Sequence, residues 1–211
     1  NSNTASGERA LNTNTTGSEN TAIGANALRY STTASYNVAV GNKALMANTT
    51  GALNSSFGYQ SMYTNTTGLQ NVAIGFESLY FNTTGSYNSA VGKSALRANT
   101  TASNNTSVGY QSLTTNTTGH SNVAVGNNAL YANTTAANNT AVGLAVLIAN
   151  TTGHSNVAVG NNALGANTEA DENVAVGFNA GKGITSGTKN TCIGWETGEY
   201  VNDITTGYKN T

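Results

Sequence analysis

A glycine recurs every 17 residues along this chain, and this spacing limits what the sequence can fold into more than any other feature. The glycines are Gly7, Gly24, Gly41, Gly58, Gly75, Gly92, Gly109, Gly126, Gly143, Gly160, Gly177 and Gly194. Eleven units without gaps cover residues 3–189, and residues 190–211 form a divergent part that continues or caps the array. The chain is therefore a tandem-repeat protein, in which each unit packs mainly against its neighbours.

All units share one layout, which we number from place 1 to place 17. Residues 71–87 are an example, with the sequence Asn-Val-Ala-Ile-Gly-Phe-Glu-Ser-Leu-Tyr-Phe-Asn-Thr-Thr-Gly-Ser-Tyr. Place 1 is Asn, place 3 is small, place 4 is usually Val or Ile, and place 9 is usually Leu. Such a unit is too short for helical-hairpin repeats, which need about 33 residues or more. It also holds too few apolar residues for a core of its own, so units must stack.

Places 2–4 have the alternation and the β-branched residues of a short strand. A second short strand is expected over the Ala-Leu pair at places 8 and 9. The glycines and the Asn-Thr-Thr segment at places 12–14 supply the corners, because Gly and Asn tolerate positive φ. We therefore predict an all-β fold, a parallel β-solenoid (β-roll) with one coil per 17-residue unit and coils about 4.8 Å apart.

We expect the side chains of places 2 and 4 to point into the coil, together with Leu at place 9. The predicted core residues are Ile23, Val40, Ile74, Val91, Val125, Val142, Val159, Leu28, Leu45, Leu79, Leu96 and Leu130. Place 3 then points outward and forms a column of small residues where another copy of the chain can approach. Ala39, Ala73, Ala124 and Ala158 are expected near that seam.

Several tyrosines lie near places 6 and 10. They are Tyr30, Tyr59, Tyr63, Tyr80, Tyr110 and Tyr131. An exposed tyrosine stripe suits either stacking on a glycan or packing between chains. Packing between chains is the more economical interpretation, because aromatic side chains bury much area at interfaces.

Composition excludes several classes of protein. Only 8% of residues are charged and the net charge is −1, so the basic surface needed for nucleic-acid binding is absent. No apolar run approaches the roughly 20 residues that cross a bilayer, so we expect no membrane insertion. A single cysteine, Cys192, excludes an internal disulfide framework and is expected to be a packed thiol. Disorder is opposed by the absence of proline and by the regular apolar places.

Catalysis needs titratable groups close together, and few are present. His120 and His154 occupy the same place two units apart, about 10 Å on the stacking prediction, which is too far to share a metal ion. The one acidic cluster is Glu169, Asp171 and Glu172, and a weak Ca²⁺ contact there matches no known loop spacing. The Gly-Lys-Gly-Ile-Thr segment of residues 181–185 lacks the spacing of a phosphate loop. We predict no catalytic, cofactor or metal site, and no enzyme activity.

The Asn-Thr-Thr segments are also acceptor sequences for N-glycosylation in a secreted protein. The acceptor residues are Asn14, Asn48, Asn65, Asn82, Asn99, Asn116, Asn133 and Asn150. The alternative is that these asparagines form hydrogen-bonded ladders at a corner of the coil. A buried ladder would forbid the sugar.

The Asn-Thr-Ala-Val-Gly and Asn-Thr-Thr-Gly strings of residues 139–153 resemble repeats of bacterial and phage tail-fibre-like proteins. They are also similar to the Asn-Ser-Val-Ala-Ile-Gly repeats of trimeric autotransporter adhesin heads. The resemblance covers essentially the whole chain. It implies a left-handed parallel β-roll that assembles as a homotrimer, although the adhesin unit is shorter than 17 residues.

The leading hypothesis is the shaft of an extracellular adhesin or phage tail fibre, on a cell or virion surface. Its partners would be copies of itself and a cell-surface receptor or glycan. One alternative is a self-assembling extracellular filament. Another is an ice-binding solenoid, which the adjacent threonines disfavour, since neighbours in a strand face opposite sides. Both ends of the sequence are expected to be cuts through a longer array.

Overall fold

Twelve three-residue strands, one per unit, form the regular secondary structure of the part of the chain that the structure describes. The computed structural model describes residues 2–198. The strands are β1 (Thr4–Ser6), β2 (Thr21–Ile23), β3 (Val38–Val40), β4 (Ser55–Phe57), β5 (Val72–Ile74), β6 (Ser89–Val91), β7 (Thr106–Val108), β8 (Val123–Val125), β9 (Thr140–Val142), β10 (Val157–Val159), β11 (Val174–Val176) and β12 (Thr191–Ile193). Each strand covers places 2–4 of its unit, which confirms the strand predicted there.

The chain divides into two units of packing, residues 1–105 with β1–β6 and residues 106–211 with β7–β12. Neighbouring strands pair in parallel, each shifted by one repeat. Val72 is opposite Ser89 in the first unit, and Val157 is opposite Val174 in the second. The fold is therefore the predicted parallel β-solenoid, of about eleven turns with one repeat per coil, and residues 2–198 contain no helix.

The strand expected at places 8 and 9 does not form, and that prediction is wrong. These places belong to a turn, because the residues on both sides of place 8 have positive φ, 51° at Glu77 and 51° at Leu79. The left-handed conformation costs an ordinary residue about 1–2 kcal/mol. Burial of the leucine offsets this cost, and so does the bond that the Leu79 N–H donates to the Ala95 carbonyl at 2.9 Å. Coils thus stay connected through turns as well as strands.

The interior is built from places 3, 8 and 9, together with the asparagines of places 1 and 12, and not from places 2 and 4. Ala73 and Leu79 are both 0% exposed. The predicted core leucines are confirmed as fully buried, namely Leu28, Leu45, Leu79, Leu96 and Leu130. The prediction that the valines and isoleucines of place 4 lie in the core is wrong, because all of them point outward and are half-buried or exposed. They are Ile23, Val40, Ile74, Val91, Val125, Val142 and Val159.

The asparagine at place 1 explains why the strand faces this way. Asn71 is 0% exposed. Its Oδ1 accepts from the backbone N–H of Asn88 at 2.9 Å and from the Asn88 Nδ2 at 3.2 Å, and its own Nδ2 donates to the Gly85 carbonyl at 2.9 Å. Side chains alternate along a strand, so an inward place 1 forces place 3 inward and places 2 and 4 outward.

Asparagines at place 12 form a second internal ladder. Asn82 Nδ2 donates to the Asn65 Oδ1 at 2.7 Å, and Asn82 Oδ1 accepts from Asn99 Nδ2 at 2.8 Å. The threonine that follows at place 13 donates its hydroxyl to the carbonyl one coil on, as Thr66 does to Thr83 at 3.0 Å. The corner of every regular coil is therefore held by side chains as well as by backbone.

The repeated glycine at place 5 is required by close contact between coils. Gly75 has φ of 134°, which side-chain-bearing residues rarely adopt. A Cβ on Gly75 would lie 2.5 Å from the carbonyl oxygen of Gly92. The 17-residue spacing of glycines seen in the sequence thus marks one point per coil at which the backbones of neighbouring coils approach closely.

Residues 181–184 replace the usual interior with a different one. Gly181 stands at place 9 instead of Leu, and Ile184 at place 12 instead of Asn. Ile184 is 0% exposed, and its Cδ1 lies 3.3 Å from where a Cβ on Gly181 would be. The isoleucine therefore fills the space of the missing leucine. The restart of the repeat predicted for residues 207–211 lies outside the described residues.

Candidate assembly surface

The outward side chains of places 2 and 4 form a surface that we call the strand face. All of them are Val, Ile, Thr or Ser apart from one Phe, and no strand contributes a charged residue. Many are more than a third exposed in the single chain. These include Ile23, Phe57, Ile74, Val142, Val157, Val159, Val176 and Ile193. Each unit of packing thus carries an uncharged, largely apolar strip along its own stack of strands.

A parallel sheet with one bare face is unusual. Parallel sheets are normally covered on both faces, and their strands carry apolar residues on both. Here the inner face is covered by the coil interior, while the Val and Ile of the outer face are half-buried or exposed. Exposed apolar patches of this continuity mark sites of protein association. The strand face is therefore the candidate functional site of the chain.

The strand face varies from coil to coil, with Val, Thr or Ser at place 2, and its largest outward side chain is in β4. Along place 4 the column runs from Val40 through Phe57 to Ile74, and along place 2 it runs from Val38 through Ser55 to Val72. The largest outward side chain of these coils therefore shares a strand with the smallest.

The aromatic residues near place 6 stack on one another along the coils. The rings of Tyr59 and Phe76 have centroids 5.3 Å apart and an interplanar angle of 13°. The Lys93 ammonium lies 5.7 Å from the centre of the Phe76 ring. Both rings nevertheless stay partly exposed, Tyr59 at 44% and Phe76 at 45%.

A similar stack lies at place 10. Tyr63 and Tyr80 have ring centroids 5.1 Å apart, and the Arg97 guanidinium lies 5.3 Å from the centre of the Tyr80 ring. Arg97 Nε also makes a 2.7 Å ion pair with Glu77 Oε2. Burial, with the neighbouring Tyr63 and Glu77, raises the pKa of Tyr80. These contacts join three consecutive coils, so the column supports the stack rather than offering free ring faces to a glycan.

The titratable groups singled out in the sequence are spread over the surface. His154 Nε2 lies 3.3 Å from Asp171 Oδ2, and Lys189 Nζ lies 3.7 Å from Glu172 Oε2. His120 is exposed. Within residues 2–198 the structure brings together no group of three His, Cys, Asp or Glu side chains that could hold a metal ion. The Cys192 thiol is 7% exposed, and burial raises its pKa.

Most of the Asn-Thr-Thr asparagines form the place 12 ladder, which was the alternative to glycosylation. Seven of them are 0% exposed, namely Asn48, Asn65, Asn82, Asn99, Asn116, Asn133 and Asn150. Asn14 is half-buried, and its Nδ2 donates to the Gly17 carbonyl at 3.0 Å. The folded coil has no room for a sugar at the seven buried amides, because their side chains are enclosed.

Two acceptor sequences at place 17 escaped the sequence analysis. Asn104 is followed by Asn-Thr and Asn138 is followed by Asn-Thr, and both side chains are exposed. The signal was present in the sequence as the Asn-x-Thr pattern across the boundary between two units.

No family model, curated protein or solved structure matches this chain. The resemblance to fibre and adhesin repeats therefore rests on the repeat motifs alone. In the part of the chain that the structure describes, no helix is long and apolar enough to span a bilayer.

Proposed function

We propose that this chain is a non-catalytic structural segment of an extracellular fibre, the shaft of an adhesin or of a phage tail fibre. It acts at a cell or virion surface and associates with copies of itself in parallel. A trimer follows from the resemblance to adhesin heads. The observation that supports this function is the uncharged strand face, which runs along the stacked strands of each unit of packing.

Repetition suits the chain to a role in which length matters. Every regular coil makes the same ladder bonds to the next, so adding a unit lengthens the stack by about 4.8 Å without a new kind of contact. The surface offers few titratable groups, with 8% charged residues in all. A segment of this kind sets the reach and stiffness of a fibre, and its exposed corners are where a receptor or glycan would be contacted.

The proposed seam between chains differs from the one expected from the sequence. Ala39, Ala73, Ala124 and Ala158 are 0% exposed inside the coil and cannot touch another chain. The strand face takes their place, because its Val and Ile columns lie on the outside. A second copy carries the same columns at the same spacing, so it can cover them coil for coil.

The hydroxyl pattern favours a fibre over an ice-binding surface. At place 13 the Thr66 hydroxyl is committed to the Thr83 carbonyl, and the same bond recurs at Thr83 and Thr117. Place 14 is the place at which every threonine, such as Thr84, is exposed. A single column of hydroxyls at a corner of the coil is not the flat, broad array of hydroxyls that an ice-binding surface needs.

The test measures the mass of the assembly for charged variants of the strand face. Ile74→Asp lies in the first unit of packing and Val125→Asp lies in the second. Each substitution adds a carboxylate to the strand face and leaves the interior of the coil unchanged. We expect the unmodified chain to be oligomeric by native mass spectrometry and both variants to be folded monomers by mass and circular dichroism. Thr84→Asp and Thr135→Asp are matched controls at the exposed corner, and they should stay oligomeric.

Two results would contradict the proposal. One is a monomeric unmodified chain at micromolar concentration. The other is assembly that survives both strand-face aspartates. An open distribution of masses that grows with concentration, in place of one closed species, would identify the self-assembling filament instead.

A further inference from the structure

Adjacent coils in the first unit of packing share one pattern of backbone hydrogen bonds. This unit has six coils, which we number 1 to 6: residues 3–19, 20–36, 37–53, 54–70, 71–87 and 88–104. Between coils 2 and 3 the Leu28 N–H donates to the Ala44 carbonyl at 3.0 Å. Between coils 5 and 6 the equivalent Leu79 N–H donates to the Ala95 carbonyl at 2.9 Å. The junctions between coils therefore differ mainly in their side-chain hydrogen bonds.

The place 12 bond is absent between coils 2 and 3, all of whose residues the structure describes. Ser31 stands at this place in coil 2, and its Oγ has no hydrogen-bond partner. The Asn48 Nδ2 of coil 3 donates to the Gly51 carbonyl of its own coil at 2.8 Å. Between coils 4 and 5, by contrast, the Asn82 Nδ2 donates to the Asn65 Oδ1 at 2.7 Å. Serine thus removes one inter-coil bond from this junction.

A second kind of bond, at place 16, is also absent there. Between coils 4 and 5 the backbone N–H of Leu69 donates to the Ser86 Oγ at 3.1 Å. The corresponding residues of coils 2 and 3 are Ser35 and Ala52. Alanine has no side-chain oxygen, so the Ser35 N–H has no acceptor of this kind in coil 3.

Place 11 lacks its inter-coil bond as well. In coil 4 the Thr64 hydroxyl donates to the Tyr80 carbonyl of coil 5 at 2.9 Å. Coil 2 has Tyr30 at this place, and the Tyr30 ring lies 4.9 Å from the guanidinium of Arg29 in its own coil. Three kinds of side-chain bond that join coils 4 and 5 are therefore absent between coils 2 and 3.

The junctions on either side keep bonds that this junction lacks. Coils 1 and 2 are joined at place 11, where the Thr13 hydroxyl donates to the Arg29 carbonyl at 2.9 Å. They are also joined at place 16, where the Ser18 N–H donates to the Ser35 Oγ at 3.0 Å. Coils 3 and 4 keep the place 12 bond, from Asn65 to Asn48 at 2.9 Å. The junction between coils 2 and 3 is therefore the weakest of the first unit of packing in its side-chain bonds.

We propose that residues 3–36 open away from the rest of the first unit of packing as one cooperative segment, at the junction between coils 2 and 3. The stability of a stacked repeat is roughly the sum of terms for each repeat and for each junction, so each absent bond weakens its own junction. Coils on the far side of the weakest junction open together, because their own bonds stay intact. A stack of this kind has a defined place along its length at which it bends or opens.

The first test is native-state hydrogen exchange of the unmodified chain, measured by mass spectrometry. Amides bonded between coils in residues 3–36, such as the Leu28 N–H, should exchange at least about tenfold faster than the equivalent Leu79 N–H. The exchange rate should change in one step between coils 2 and 3. Simple fraying would instead raise the exchange rate gradually from coil to coil.

Two substitutions restore the absent bonds with residues that other coils already contain at the same places. Ser31→Asn restores the place 12 bond, and Ala52→Ser provides an acceptor for the Ser35 N–H. Each should slow the exchange of residues 3–36 about fivefold, and the double variant should slow it further. The matched control is Leu69→Ser, which adds the same place 16 acceptor between coils 3 and 4. It should leave the exchange of residues 3–36 unchanged.

Two results would overturn the inference. One is a gradual change of exchange rate with no step between coils 2 and 3. The other is exchange in residues 3–36 that Ser31→Asn and Ala52→Ser do not slow, or that Leu69→Ser slows equally. A step that the double variant removes supports it. These rates are compared within one chain, so the outcome does not decide whether copies associate through the strand face.

Discussion

Ser31 stands one coil after Asn14 in the place 12 column, and the Oδ1 of Asn14 and the Oγ of Ser31 are both buried without a hydrogen-bond partner. Elsewhere in the column the next asparagine donates to this oxygen, as Asn65 Nδ2 does to Asn48 Oδ1 at 2.9 Å. The serine side chain is too short to replace that bond. A single residue therefore interrupts the ladder and leaves two polar atoms unpaired.

Ser31→Asn should repair the ladder and stabilise the chain. The new Nδ2 can donate to Asn14, and the new Oδ1 can accept from Asn48. Asn99 is at place 12 of a unit that has Ala102 at place 15, and its Nδ2 donates to the Ala102 carbonyl. The unit of Ser31 also has Ala at place 15, namely Ala34, so Asn fits at place 12 there as well. We expect the free energy of unfolding to rise by about 1–2 kcal/mol, measured by denaturant titration. Ser31→Ala is the control and should gain less, since Asn14 stays unpaired. Destabilisation by Ser31→Asn would contradict the ladder account.

Removing an intact ladder residue should have the opposite effect. Asn82→Ala deletes the two donations to Asn65 and Gly85 and removes one of the acceptors of the Asn99 amide. Stranding these buried groups should cost about 3 kcal/mol in urea unfolding. Thr84→Ala, two residues along and exposed, is the control and should change stability little. Equal stability of the two variants would show that the ladder contributes nothing.

Interior substitutions should unfold the coil instead of separating chains. Leu79→Asp and Ala73→Arg each place a charge where exposure is 0%, and each should cost more than about 4 kcal/mol. Glu77→Gln is the control, because it weakens only a partly exposed ion pair with Arg97 and should cost less than about 1 kcal/mol. Thermal unfolding followed by circular dichroism checks both. If the Ala73→Arg variant were a folded monomer, the alanine column would have to face outward, and the inward assignment would be wrong.

Attached sugar should follow exposure and not the number of acceptor sequences. When the chain is secreted from a glycosylating cell, we expect the folded fraction to carry glycans only at Asn104 and Asn138. Asn65, Asn82 and the other enclosed asparagines should be unmodified, because their amides lie inside the coil. Peptide mass mapping before and after enzymatic removal of N-glycans provides the measurement. A glycan on Asn82 in folded protein would rule out the buried ladder.

The Cys192 thiol should react slowly in the folded chain. Burial raises its pKa, so the thiol stays protonated at neutral pH, and only the thiolate is nucleophilic. Alkylation at pH 7.5 should be at least about tenfold slower than in denaturant, and raising the pH through the displaced pKa should speed it. Thr84→Cys, at an exposed corner, provides a fast reference. Equal rates at Cys192 with and without denaturant would show that β12 is open.

Much of the architecture follows from the spacing of residues. The 17-residue period predicts one coil per unit, and the β-branched residues at places 2–4 predict the position of every strand. The buried leucines at place 9 were also predictable, because Leu, or Met in one unit, recurs at that place in every unit up to Leu164. These properties depend on composition and order along the chain, and no distant contact is needed to decide them.

A paired occurrence of serine in the sequence indicates which side chains of the strand point inward. Serine occupies place 3 at Ser56 and Ser107, and in both units place 8 is also serine, at Ser61 and Ser112. In the structure the Ser56 Oγ donates to the Ser61 carbonyl at 3.0 Å inside the coil, and Ser107 does the same to Ser112 at 2.9 Å. A paired change of this kind indicates that places 3 and 8 lie on the same, inward side.

The repeat, the strand positions and the leucine column follow from the order of residues along the chain, whereas the side of the strand that faces inward depends on how the coils stack. Hydrophobicity favoured an inward Ile74 over an inward Ala73. The stacked coils reverse this choice, because Asn71 satisfies its amide only by bonding Asn88 and Gly85 within the coil, and the alternation of the strand then carries Ala73 inward with it. A hydrogen bond between residues 17 positions apart exists only once the coils are stacked, so the pattern within a single unit does not contain it.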